Sequence, residues 1–238
     1  MTLLSMSEIW TQLSASPLLG LTMTLLAYQL ALLIYWRSGR SAWANPVLIA
    51  ILAVTAFLWI TGMPYENYFE GAKFIHFMLG PVTVALAIPL YTYWNRLKRM
   101  AFPLVVALVA GSATAVLSAM GIAWALGASP ATIYSLAPKS VTTPIAMGVA
   151  EQIGGIPSLT AVMVILTGII GAIGFPAVFR ALRVRDHAAQ GFAIGISAHG
   201  IGTARAFLVS EEMGAFSALA MGLNGLLTAV ILPLLMAY

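Results

Sequence analysis

Cysteine is absent from the 238-residue sequence, and charged residues are scarce. The lack of cysteine excludes disulfides, thiol catalysis and thiolate metal sites. Only 8% of the residues are Asp, Glu, Lys or Arg, against roughly 25% in an ordinary soluble domain. So few charges cannot cover the surface of a soluble domain, and the composition therefore excludes a soluble enzyme, a disordered chain and a nucleic-acid-binding protein.

Sequence signatures of catalysis are missing as well. The three histidines are scattered without metal-ligand spacing, and no phosphate-binding glycine loop or hydrolase nucleophile elbow occurs. We therefore expect no metal, no cofactor and no enzymatic activity.

Long apolar runs dominate the sequence instead, with 61% hydrophobic residues and a mean hydropathy of +0.97. A helix needs about 20 apolar residues to cross a bilayer. Two apolar stretches, 129–153 and 190–213, are interrupted by Gly, Pro and polar residues. The pattern predicts an all-α polytopic membrane protein with about six full transmembrane helices, over 17–36, 46–62, 76–94, 100–126, 157–180 and 214–237.

Basic residues concentrate in three short segments, 37–45, 95–99 and 181–187. Positively charged loops stay in the cytoplasm. This rule places residues 1–16 outside, and also the loop 63–75, which carries Glu66, Glu70 and Lys73. The charge pattern therefore predicts a multi-pass membrane protein with these three basic segments in the cytoplasm.

This orientation requires each interrupted stretch to enter and leave by the same face. Span 100–126 ends outside, and span 157–180 must begin outside if its arginine-rich end is cytoplasmic. We therefore expect two helix–break–helix re-entrant hairpins that enter from opposite faces. The alternative is that both stretches cross fully as broken helices. Either arrangement implies a site, because irregular backbone at membrane depth survives only in protein or beside a wet cavity.

The two interrupted stretches also form an internal repeat. They align without gaps at an offset of 60 residues, pairing Thr143 with Thr203 and Glu151 with Glu211. Units of roughly 100–156 and 160–216 would each hold one span and one hairpin, so the second copy would be inverted. Inverted repeats with discontinuous helices are typical of transporters. We predict scaffold helices over 17–94 and a transport core over 100–237, with a final helix at 214–237.

The repeat places basic residues at both interruptions, Lys139 in the first and Arg205 in the second. Helix starts are predicted at Thr143, as N-cap before Pro144, and at Gly202 with Thr203. The free N–H groups of a helix start attract anions. Together these groups predict one polar cavity for a small carboxylate. The predicted substrate-binding residues are Lys139, Ser140, Thr142, Thr143, Ser197, His199, Gly200, Thr203 and Arg205.

Each of these residues also has a structural interpretation. Lys139 could snorkel to the interface, Arg205 could pair with a carboxylate or carbonyls, and His199 could be a packing residue. Roles in coupling or gating are predicted for His199, Glu151, Glu212 and Asn224, with proton or sodium as the coupling ion. The glutamates could equally be solvated or paired, and Asn224 could serve helix packing.

Five segments carry a resemblance to a known family: NPVLIA at 45–50, LGPVTVALAIPLY at 79–91, SLAPKSVTTPIAM at 135–147, GFAIGISAHGIGTARAF at 191–207 and MGLNGLL at 221–227. They are similar to the LrgB/CidB family of bacterial membrane proteins, over essentially the whole chain. The resemblance implies a multi-pass protein of the bacterial cytoplasmic (inner) membrane. It also implies a holin- or antiholin-like modulator of murein hydrolases that works beside a small LrgA/CidA-type membrane protein. Related proteins move pyruvate, glycolate or glycerate.

The sequence therefore supports two functional hypotheses. The first is a transporter or facilitator for small 2-oxo or 2-hydroxy monocarboxylates, acting as a homo-oligomer. The second is a holin/antiholin-like regulator of murein hydrolase activity and cell lysis. The basic residues at paired helix breaks favour the transporter, because a lysis pore needs a wide lumen instead.

Overall fold

The computed structural model describes residues 16–236, and all of their long regular elements are helices. The chain divides into two compact units, one ending at Ala85 and one beginning at Leu86. The predicted position of residues 1–16 falls outside the described residues except for Ser16, and the last residue of the predicted helix 214–237 also falls outside them.

The first unit contains three α-helices: α1 (Pro17–Arg37), α2 (Pro46–Thr61) and α3 (Tyr65–Ala85), with a short 3-10 turn at Ala42–Ala44. Helix α1 packs against both others. It approaches α3 closely at Gly20, where an added Cβ would lie 2.2 Å from the Tyr68 carbonyl oxygen. The Asn45 side chain caps α2 by accepting hydrogen bonds from the backbone N–H groups of Val47 and Leu48.

The second unit contains the remaining seven described helices. They are α4 (Ala87–Thr92), α5 (Trp94–Ala125), α6 (Pro130–Leu136), α7 (Thr143–Gln152), α8 (Pro157–Ala181), α9 (His187–Phe207) and α10 (Glu211–Met236). Helices α6 and α7 lie in the first interrupted stretch, and α9 lies in the second. Both stretches are therefore helical with a break, as the sequence predicts.

Five helical segments within residues 16–236 are long and apolar enough to cross a membrane. They are Leu18–Arg37, Tyr65–Thr92, Trp94–Ala125, Pro157–Ala181 and Glu211–Met236. The predicted span 46–62 corresponds to α2, which has only 16 residues. At about 1.5 Å per residue it is shorter than a bilayer core of about 30 Å, so the expected six full-length helices are reduced to five with one short apolar helix.

Two predicted loops are wrong because their residues are helical. Residues 65–75 belong to α3 and residues 95–99 to α5. In α3, Lys73 pairs with Glu70 one turn earlier, and such a pair supports a helix. In α5, Leu97 packs on the core cluster of the unit. A charged segment at a bilayer surface can thus extend a transmembrane helix instead of ending it.

Helix α9 is the centre of the second unit. Its first half shares a buried cluster with Leu104 and Leu108 of α5 and Phe216 of α10. Its side facing α8 shares a second cluster with Phe179. The helix is therefore enclosed by α5, α8 and α10. Its burial explains why its sequence is rich in glycine and alanine, which allow helix axes to approach closely.

The contacts of α9 with α10 show that the chain reverses direction at His199. Before His199, Gly191 lies beside Met213, and Gly195 lies beside Ser217. After His199 the order is inverted, since Phe207 lies against Gly214. Both ends of α9 are therefore level with the start of α10.

The close contact of Gly191 and Gly195 with α10 forms a glycine seam between α9 and α10. We expect this seam to leave no room for a larger side chain at Gly195. An added Cβ there would lie 2.2 Å from the Ser217 carbonyl oxygen, and it would meet backbone that cannot move aside. Gly195→Ala should lower the thermal unfolding midpoint of the purified protein, with a loss of roughly 1–3 kcal/mol from overpacking.

The matched control for this substitution is Gly222→Ala in α10, where an added Cβ meets no atom within 4 Å. It should keep or raise the midpoint, because alanine favours a helix over glycine by about 1 kcal/mol. Equal midpoints for both variants would contradict the close packing of the seam.

Candidate functional site at two helix breaks

The first break is the segment Ala137–Thr142 between α6 and α7, and it contains Lys139. The Lys139 side chain is half-buried, and its Nζ donates to Ser140 Oγ over 3.2 Å. Thr142 is the N-cap residue of α7, and its side chain makes no capping hydrogen bond. This corrects the predicted N-cap at Thr143, which is the first residue of α7, with Pro144 in the first turn.

The second break is at His199, whose φ of 41° and ψ of −134° lie outside the helical region. A positive φ is unusual for a residue other than glycine and stores strain that its surroundings must hold. The buried imidazole Nε2 lies 2.9 Å from the Val164 carbonyl oxygen of α8. The Thr203 hydroxyl donates to the His199 carbonyl oxygen over 2.7 Å. The helix therefore restarts just after His199, earlier than the predicted start at Gly202 and Thr203.

Asn224, in the middle of α10, connects the two breaks. Its Nδ2 donates to the Ser140 carbonyl oxygen over 3.3 Å and to the Ile196 carbonyl oxygen over 3.0 Å. The side chain is almost completely buried, with 1% of its surface exposed. A helix break leaves carbonyl groups without their helical partners, so one amide group satisfies a carbonyl from each interrupted stretch.

Polar groups from both stretches line one cavity of about 630 Å³ in the second unit. Lys139 and Ser140 come from the first break, and Ser197 precedes the second. The remaining wall is mostly apolar and comes from α5 and the first half of α9. This wall includes Met100, Thr114 and Ala115 of α5 and Ala189 of α9. A single cation, Lys139, and three hydroxyl groups in an otherwise apolar lining are suited to a small anion.

Arg205 lies elsewhere. It is buried, and it lines a different cavity of about 500 Å³ with Arg180, Arg183 and Arg185. The expectation that Lys139 and Arg205 surround one cavity is therefore not met. The reversal at His199 explains the difference, because Arg205 is on the returning half of α9 while Ser197 is on the first half.

The other predicted residues have varied positions. Thr203 is buried, and its hydroxyl lies 2.8 Å from Ser217 Oγ. Thr142, Thr143 and Gly200 are partly exposed and line neither of the two cavities described above. Glu151 is exposed at the end of α7. Glu212 forms an ion pair with Arg96.

Sequence reasoning did not find the role of Arg96 at the basic end of the second unit. Arg96 pairs with both Glu212 and Asp186, and so joins the first turns of α5, α9 and α10. Asp186 is the N-cap of α9, and the hydrogen bond that it accepts from the Ala189 backbone N–H lowers its pKa, as does the nearby Arg96 charge. The sequence signal for this role was its partner Asp186, an N-cap residue type that follows a turn rich in basic residues.

The apolar helices and the two broken stretches define an all-α, multi-pass membrane protein. The particular family follows from comparison with known proteins. The LrgB-like family model matches residues 24–238, and the chain belongs to the LrgB family.

Similar proteins cover nearly the whole chain. YwbG of Bacillus subtilis (strain 168) is 39% identical over 93% of this chain and 98% of its own length. The antiholin-like protein LrgB of Bacillus cereus (strain B4264) is 32% identical over 94% of this chain and 97% of its own length. No solved structure matches the chain.

We expect Asn224 to hold the two breaks together. Asn224→Leu keeps a side chain of similar size but leaves the Ser140 and Ile196 carbonyl groups unsatisfied. The change should cost roughly 1–3 kcal/mol for a buried carbonyl without a partner, and it should lower the thermal unfolding midpoint by several degrees.

The control for Asn224 is Thr228→Val, one turn further along α10. Thr228 is also buried but is hydrogen-bonded to neither break. It should change the midpoint little. A midpoint as high for Asn224→Leu as for Thr228→Val would show that the amide contributes nothing to the breaks.

Proposed function

We propose that this protein is a transporter or facilitator for small 2-oxo or 2-hydroxy monocarboxylates of the pyruvate, glycolate and glycerate class. The observation that carries the proposal is the cavity of about 630 Å³, where Lys139 and Ser140 of one broken stretch meet Ser197 of the other. Discontinuous helices that meet at a substrate site are a recurring feature of secondary transporters.

The chemistry of the cavity fits a short carboxylate. The Lys139 ammonium group offers a point charge for a carboxylate. The Ser140 and Ser197 hydroxyl groups could bind the neighbouring 2-oxo or 2-hydroxy oxygen, while the apolar wall accepts a short carbon chain. His199 and Asn224 would act indirectly by holding the breaks, and a role for His199 in proton coupling stays a prediction.

Contacts along α10 support hairpins that enter from opposite faces. Both ends of α9 are level with Met213 and Gly214, near the beginning of α10. The α7 residues Val149 and Ile153 instead share a cluster with Leu232 and Met236, near the end of α10. The two breaks meet between these levels at Asn224.

The proposed mechanism is alternating access around these breaks, within an inverted repeat of about 100–156 and 160–216. The first-unit helices would serve as a scaffold. We place the protein in the bacterial cytoplasmic membrane, with the Arg96 end inside, as a homo-oligomer. No catalytic step and no metal are part of the proposal.

The transport proposal predicts that uptake depends on the Lys139 charge. Among the described residues, Lys139 is the one cation that lines the cavity of about 630 Å³, and Lys139→Met should reduce saturable pyruvate or glycolate uptake into proteoliposomes at least tenfold. The reason is that loss of one partner from a buried charge pair costs about 2–5 kcal/mol. The control is Lys98→Met, since Lys98 lies over the Trp94 ring, outside this cavity. Normal saturable uptake by Lys139→Met would reject the site.

The second candidate function is a holin/antiholin-like regulator of murein hydrolase activity, and its support is the name of the Bacillus cereus relative. In that role the chain would work beside a small LrgA/CidA-type membrane protein. Leak of large dyes from the proteoliposomes, without saturable carboxylate uptake, would favour this function over transport.

The hairpin topology can be tested directly because the chain has no cysteine. Single cysteines at the exposed positions Leu126 and Ile156 should react with an impermeant thiol reagent from outside the cell. Cysteines at the exposed positions Leu182 and Val209 should react only from the cytoplasm. Labelling of position 182 from outside would favour two full crossings instead of two hairpins.

A further inference from the structure

The smaller cavity of the second unit is more cationic than transport of a monocarboxylate requires. Four arginines line its volume of about 500 Å³: Arg180, Arg183, Arg185 and Arg205. Its described lining contains no acidic side chain. Since the cation of the proposed transport site, Lys139, lies in the other cavity, these arginines need a separate explanation.

A charged cytoplasmic loop explains only part of this cluster. Arg180, Arg183 and Arg185 are exposed, at the end of α8 and in the turn that follows. Arg205 is different, because it comes from α9 and is only 9% exposed. The cavity therefore combines one buried guanidinium group with three exposed ones, and this concentration of positive charge suits a strongly negative group.

The turn itself has an unusual backbone at Arg183. Its φ is +57°, in a left-handed conformation. The Arg183 N–H donates to the Arg180 carbonyl oxygen over 3.2 Å, and the Val184 N–H donates to the Phe179 carbonyl oxygen over 3.0 Å. Glycine is the preferred residue at such a helix end. Arginine therefore occupies a position where glycine would suit the backbone better.

Beside the arginines the cavity has an apolar wall. The rings of Phe175 and Phe179 stack with centroids 5.4 Å apart, and Pro176 continues the wall along α8. Arg180 lies in the last turn of this apolar helix. The charged part of the cavity is thus at the end of a candidate membrane span, and the apolar part extends along the span.

We propose that this cavity binds an anionic glycerophospholipid of the cytoplasmic leaflet. The phosphodiester group lies among the four arginines, and an acyl chain lies along Phe175 and Pro176. Guanidinium groups bind phosphate oxygens through paired N–H donors. Basic pockets between helices on the cytoplasmic side are known to suit such headgroups. The site is separate from the proposed transport cavity, so neither proposal depends on the other.

The test is native mass spectrometry of the full-length protein in detergent, titrated with phosphatidylglycerol or phosphatidylcholine. The unmodified protein should retain phosphatidylglycerol preferentially. Arg183→Gly should weaken that retention about fivefold, the effect expected for one arginine near a membrane surface. Its thermal midpoint should not fall, because glycine suits the backbone. Arg205→Met should weaken retention at least as much.

The control is Arg99→Gln, which removes an exposed arginine of α5 that lies outside the cavity. It should leave lipid retention unchanged. Equal losses for Arg99→Gln and Arg183→Gly would overturn the proposal in favour of diffuse surface attraction. Displacement of the lipid by millimolar inorganic phosphate, with equal thermal stabilisation, would instead assign the site to a free phosphate. If Arg205→Met does not fold, the comparison of Arg183→Gly with Arg99→Gln decides.

Discussion

Two hydrogen bonds from one buried amide connect the parts of the second unit that carry its chemistry. The Asn224 Nδ2 contacts the Ser140 carbonyl oxygen on one side and the Ile196 carbonyl oxygen on the other. An unsatisfied carbonyl is costly where water is excluded. The two breaks consequently cannot separate from α10, or from each other, unless other donors replace this amide. The placement of Lys139 and Ser197 around one cavity depends on that constraint.

Charged side chains of the second unit either join its helices or line its cavities. Arg96 joins the first turns of α5, α9 and α10 through Asp186 and Glu212. Lys139 and Arg205 instead line cavities on the two sides of α9. The reversal of α9 at His199 produces this division, because it directs the two halves of one element toward different neighbours. A short stretch of chain thereby contributes to two separate cationic sites.

Much of this architecture could be predicted from periodicity and charge. The apolar runs located most of the long helices, and the glycine, proline and polar residues located both breaks. Sequence could not predict the direction in which each side chain points after a reversal, and Arg205 was therefore placed in the wrong cavity.

The position of the second break within its stretch was also hidden. Local propensity favours a helix start at Gly202 and Thr203, whereas the unusual backbone belongs to His199. Tertiary contacts hold His199 in that conformation, through Val164 of α8 and Thr203 of the returning half. The Val164 contact comes from 35 residues away in sequence, and local propensity does not consider such contacts. Segment 65–75 differs from its predicted loop for a local reason, because Lys73 pairs with Glu70 within α3.

The glycine seam between α9 and α10 limits how this protein can change shape. At Gly191 and Gly195 the nearest atoms are backbone atoms of α10, the Met213 and Ser217 carbonyl oxygens. Backbone surfaces have no rotamers to exchange, so a slide by one residue would bring the neighbouring side chain of α9 against a carbonyl oxygen. The first half of α9 and the start of α10 must therefore move together as one rigid body. Any gate in this unit has to open where this rigid body faces α5, α7 and α8. Flexible side chains form the contacts there.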